Sequence, residues 1–303
     1  MNQKWSWRFV AVSALIIVMG GSALASHQWG TYHWARTKNP FNIGLVDNVT
    51  NDWGTPGYQA VLDWSISQVL EAVVLTGSED NTTRYYCTAP TGKIAVCNYG
   101  YGVNGWAGIS QIWIDSNNHI TKSSVKLNDS YAMSPDYKRY VVCQEIAHSF
   151  GLAHNDENPY NTNTGTCMDY GYYLYGPPSN LRPNAHDYEQ LNSQYAHLDW
   201  YNTVAPVGNQ PLCSPPLGQD VIGEWVIGNG HDLRLESEDD MANMNDPYEW
   251  GTLVHVHDFG LSEEYERVLR NGERVLTHVD LVEEEADRKY PHLRNGVGHR
   301  GKH

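Results

Sequence analysis

Residues 144–154 read Gln-Glu-Ile-Ala-His-Ser-Phe-Gly-Leu-Ala-His, and their types and spacing suit metal chemistry. On a helix, Gln144 and His148 are i and i+4 and share one face. A turn at Gly151 would bring His154 back toward that face. Imidazoles converging in this way can hold Zn2+ with a position left open for water or substrate. Glu145 would lie beside the ligand face but off the metal, where a carboxylate can take the proton of an activated water. Gln144 leaves the ligand set open, because an amide oxygen is a weaker donor than imidazole. It can be the third ligand through oxygen. It can stand outside the ligand shell while Asp156 or another residue completes the site. Or the site can be degraded and hold no metal.

The elements that must position these groups can be read around them. Ser134-Pro135 is a helix start, with Ser at the N-cap and Pro at the first turn, and Gly151 suits the left-handed end of that helix. Upstream, Gly57 to Leu70 carries apolar residues at helical spacing. Val73 to Thr76, Gly108 to Asp115 and Val125 to Leu127 read as extended segments. Downstream, 155–184 is a long loop rich in Asn, Gly, Tyr and Pro, and such loops are usually functional or mobile. His186 to Leu198 reads as a helix. Val268 to Leu276 reads as a hairpin about Asn271-Gly272.

The chain level sets the compartment and the classes of partner. Lys4 and Arg8, an apolar run from Phe9 to Met19 and small residues up to Ala25 form a signal-peptide pattern over 1–25. The run is shorter than the ~20 residues that span a bilayer, so no membrane span is expected after cleavage. The net charge of −15 becomes −17 without Lys4 and Arg8, which argues against nucleic acid as a partner. Residues 26–204 read as one domain. Residues 205–219, with four prolines, read as a linker. Residues 220–303 read as an acidic, β-leaning region whose end, from Glu283 to His303, is a solvated tail.

Five cysteines in an exported chain suggest disulfides with one left over. Cys87 and Cys97 flank a short loop. Cys143 directly precedes the Gln-Glu pair and Cys167 directly precedes Met168, so a bridge there would tie the helix to the turn at Met168. Other pairings are open, and Cys213 has no assigned partner. Taken singly, Met168 reads as core filling and Tyr170 as packing. His186, His197 and the histidines after residue 230 lack ligand spacing and read as structural or solvent-exposed.

Taken together, the chain resembles the metzincin zinc metallopeptidases, matrixin-like and of a secreted bacterial kind. The resemblance covers about residues 27–199. Residues 108–115 (GISQIWID) resemble the family's active-site edge strand, 141–157 (VVCQEIAHSFGLAHNDE) its metal helix and turn, 165–170 (GTCMDY) its Met-turn, and 186–199 its C-terminal helix. The resemblance implies an α+β catalytic domain: a twisted mixed sheet with its edge strand over the active-site helix, then the Met-turn and C-terminal helix. It implies a secreted zinc endopeptidase with peptide or protein substrates. By it, Glu145 is the general base, Gln144, His148 and His154 fall at the Zn2+ ligand positions, Met168 is the floor beneath the metal, and Tyr170 contacts the metal or the oxyanion. A peptide substrate would lie along 108–115 as an added strand. Gln144 departs from the family's His, so the alternative is a metzincin-fold protein that binds peptides or surface polymers without cleaving them. No cysteine-bearing segment stands between Ala25 and the domain, so latency through a thiol from the N-terminal side is not expected.

Overall fold

In the computed structural model, residues 26–171, 173–208 and 245–294 are described. The signal-peptide pattern, most of the 205–219 linker and Cys213 lie outside these residues. The described elements are arranged about one mixed sheet. Its strands are β1 (His33–Trp34), β2 (Phe41–Asn48), β3 (Leu70–Thr76), β4 (Lys93–Tyr99), β5 (Trp106–Ile114), β6 (His119–Asn128), β7 (Thr252–Val256), β8 (Ser262–Val268) and β9 (Arg274–Leu281). The order across the sheet is β3-β2-β4-β6-β5-β9-β8-β7, with β1 also on β6. From β3 to β6 the neighbours are parallel. From β6 through β5 to β7 they are antiparallel.

Two helices cover one face of the sheet. Helix α1 (Asn51–Trp64) starts earlier than the 57–70 pattern suggests and buries Trp53, Ala60, Val61 and Trp64. A short α2 (Asn81–Tyr86) precedes β4. Helix α3 (Pro135–His148) is capped by the Ser134 hydroxyl, which accepts from the Tyr137 amide. Every α3 residue from Tyr140 to His148 is buried, so its second half carries no solvent face. Trp64 donates from its indole to the Cys143 carbonyl at 3.0 Å and so locks α1 to α3. Carbonyls past the end of α3 are taken by side chains: Trp34 Nε1 donates to Ser149 O, and Tyr195 Oη to Phe150 O. Helix α4 (Ala185–Gln194) begins with a capping box between Asn184 and Asp187.

Disulfides join Cys87 to Cys97 and Cys143 to Cys167, the pairs suggested by their positions in sequence. No helix among the described residues is long and apolar enough to cross a membrane.

Three expectations are corrected. The strand at 108–115 is not an edge: β9 is hydrogen-bonded along it from Trp106–Leu281 to Ile114–Arg274, and all nine residues of β5 are buried. Second, the described part of 220–303 does not form a sheet of its own, because β7, β8 and β9 extend the sheet that begins with β3. The Asn271-Gly272 hairpin does form, with Gly272 at φ +87°. Third, Glu283-Glu284-Glu285 opens a helix, α5 (Glu283–Lys289), rather than a solvated tail, and α6 (Pro291–Arg294) follows. Acidic residues in its first turn and Arg288 and Lys289 in its last suit the helix dipole.

Candidate metal centre

Helix α3 presents Gln144 and His148 from one face, and the chain turns back just beyond it. Gly151 has φ +84°, and a Cβ there would lie 2.0 Å from the Tyr32 carbonyl oxygen, so only glycine fits the turn. The returning strand is pinned at Leu152, whose amide donates to Ala147 O, and at Ala153, whose amide donates to His27 O. Asn155 donates from its amide to Met168 O at 2.6 Å, which joins the turn to the Met168 segment that Cys167 ties to α3. His154 is thereby returned to α3: its Nε2 lies 3.2 Å from His148 Nε2 and 3.1 Å from Gln144 Nε2.

The donor set fits a metal ion. His148 Nδ1 lies 2.8 Å from Leu152 O. An Nδ1–H donated to that carbonyl leaves the Nε2 lone pair facing His154, the usual way a ligating imidazole is oriented. Nitrogens on a tetrahedral zinc, at bonds of about 2.0–2.1 Å, stand about 3.3 Å apart, close to the 3.2 Å seen here. Burial lowers the His148 pKa to about 4 and the His154 pKa well below the ordinary value. Both rings are therefore neutral near pH 7, the form that binds metal. Gln144 Oε1 and His154 Nδ1 are buried with no hydrogen-bond partner among the described residues.

Glu145 lies against β5. A Cβ at Gly108 would come within 2.6 Å of Glu145 Oε1, so the bare backbone of Gly108 makes room for the carboxylate. Both carboxylate oxygens are buried without a hydrogen-bond partner among the described residues, and Oε2 lies 3.9 Å from His278 Nδ1. Burial first, and then the charge of Asp280, raise the Glu145 pKa well above the usual carboxylate value. Tyr170 stands edge-on to His154 with ring centroids 4.3 Å apart, and its hydroxyl is 3.5 Å from Asp280 Oδ1. Met168 is fully buried in the main core.

Three participants come from the far end of the chain. His278, on β9, has its ring centroid 4.0 Å from that of His148 and 4.9 Å from that of His154. It is 1% exposed, and neither ring nitrogen has a hydrogen-bond partner among the described residues. His148, His154 and His278 form a group able to hold a metal ion. Asp280, two residues on, is buried, and burial raises its pKa to about 7. His257 is held between Glu157 and Glu264; burial works against its charge, but these two hydrogen bonds outweigh burial and raise its pKa to about 9. The reading of the late histidines as lacking a site role is therefore corrected for His278 and His257. No local spacing marks His278. The only hint lies in the strand pattern: Leu276, His278 and Asp280 alternate with Val275, Val279 and Leu281 and so share one face.

No protein-family model and no curated protein matches the chain. Among solved structures it is similar to high choriolytic enzyme 1, a hatching enzyme zinc-protease from Oryzias latipes (medaka fish). Identity is 13% and the TM-score 0.30, over 54% of this chain and 94% of that one. A likeness this distant does not bear on activity; the side chains of the site must carry that question.

Proposed function

We propose that the chain is a zinc-dependent endopeptidase of metzincin type, with its centre at His148, His154 and Glu145. The observation that carries this reading is the pair of neutral imidazole nitrogens 3.2 Å apart at the end of a helix that also buries the Glu145 carboxylate without a hydrogen-bond partner among the described residues. His148 and His154 would hold the zinc with a third donor. Bound zinc supplies a Lewis acid that polarises a carbonyl and acidifies water. Glu145 then takes the proton of the attacking water and returns it to the leaving amine. Its raised pKa is suited to holding that proton between the two steps, and a neighbouring divalent cation favours its ionised form. The Tyr170 hydroxyl, carried on a ring packed edge-on to His154, would donate to the carbonyl oxygen as charge develops. Met168 and the Cys143–Cys167 bridge keep α3 and the following turn in register. The two disulfides support an oxidising, extracellular setting.

Glu145→Gln keeps the shape and removes the base. Chelator-sensitive hydrolysis of casein is expected to fall by about 100-fold or more, with zinc content and circular dichroism unchanged. Full activity in this variant excludes Glu145 as the base.

A second reading is favoured by one specific observation. Strand β9 fills the side of β5 on which a peptide would be expected to lie. A chain that stays in this arrangement binds metal without cleaving peptides, and casein then remains intact in the wild-type protein whether or not zinc is supplied.

A further inference from the structure

We infer that His278 of β9 is the third metal ligand, in place of the imidazole that Gln144 does not provide, and that β9 is the resident occupant of the β5 edge. This rests on the metal-centre reading above. Strand β9 pairs with β5 so that Ser110 faces His278 across the ladder, and with β8 so that Glu264 does. Ser110 reaches Ser149 just past the end of α3, 3.3 Å between hydroxyls, so the face shared by Ser110 and His278 is the α3 face. Leu276, on that same face, joins the main core, while Val279 and Leu281 join the cluster on the other side. Register alone therefore aims His278 at His148 and His154.

Its rivals are weaker candidates. Both ring nitrogens of His257 are taken by Glu157 and Glu264. Gln144 turns its amide nitrogen to within 3.1 Å of His154 Nε2, and its amide oxygen is the poorer donor. His278 is left as a fully buried imidazole whose ring nitrogens have no hydrogen-bond partner among the described residues, with Nδ1 3.9 Å from Glu145 Oε2, at a site where neighbouring nitrogens converge. A buried polar group in that condition calls for a partner, and a metal shared with His148 and His154 provides one. The connection from β7 to β8 is held as well: His257 pairs with Glu157, and the Asp258 amide donates to the same carboxylate at 2.9 Å. Strand β9 thus delivers a ligand and occupies the edge where a peptide would add.

Zinc binding to the whole chain tests this, measured by competition with a chromophoric chelator. His278→Ala is expected to weaken zinc affinity by about 100-fold or more, beyond the loss typical of groups that only support a ligand. Gln144→Ala is expected to weaken it by less than about 10-fold. Adding Gln144→His to the His278→Ala chain should restore affinity, which a merely structural role of His278 would not allow. X-ray absorption on the zinc-loaded wild type needs no variant and should show three imidazoles on the metal. Unchanged affinity in His278→Ala, or two imidazoles in the wild type, overturns the assignment while leaving a zinc centre at His148 and His154. A wild type that binds no zinc overturns both.

Discussion

Gly108 and Glu145 are pressed together where α3 packs on β5. Glycine at 108 lets β5 pass over the Glu145 carboxylate where a Cβ would meet it at 2.6 Å. Gly108→Ala is therefore expected to cost about 1–3 kcal/mol of stability through overpacking, read by urea unfolding. It should also lower hydrolysis by displacing the base; a variant as stable and active as wild type would show that the carboxylate has room to move. At this scale the sequence was informative where chemistry is local. Gln144, Glu145, His148 and His154 are set by helix spacing and one glycine turn, and the structure brings Gln144 and His148 to His154. His278 and Asp280 were not legible, because they arrive by the register of a strand more than 120 positions away along the chain.

At the scale of elements, the same limit explains the edge strand. The near-continuous apolar run from Trp106 to Ile114 is the pattern of a strand buried on both faces, but a run of that kind does not reveal which strand will lie beside it. Helix α3 was readable because its cap, its Pro and its terminal Gly are local signals. The neighbouring β6 contains a feature no local pattern foretells: Lys126 is 1% exposed, and its amine has no hydrogen-bond partner among the described residues. Burial lowers its pKa to about 7, against about 10.4 in an unfolded chain. Between those values the unfolded chain binds more protons, so this group makes stability rise as pH goes from 7 toward 10. Below pH 7 the full cost of the buried charge is present. Lys126→Met is thus expected to stabilise the fold by about 2 kcal/mol at pH 6 and to flatten the rise above pH 7. Urea unfolding at pH 6 and pH 9 checks this; an unaltered pH dependence would mean that Lys126 is charged and solvated.

For the whole molecule, the consequence is that the described part of the acidic C-terminal region, residues 245–294, joins the sheet and the site. The hairpin over Val268–Leu276 was visible, with Asn271-Gly272 as its turn, yet nothing local showed that β9 would align with β5. What joins the two ends of the chain is the demand of β5 for a second neighbour and of Glu157 for a cationic partner, met by β9 and His257. Together these parts enclose the proposed zinc centre. Elemental analysis of the purified protein, incubated with zinc at neutral pH and then desalted, tests it most directly. Zinc in a one-to-one ratio with the chain is the expected result, removed by chelator and regained on adding zinc. A protein that stays metal-free after that treatment would contradict the account.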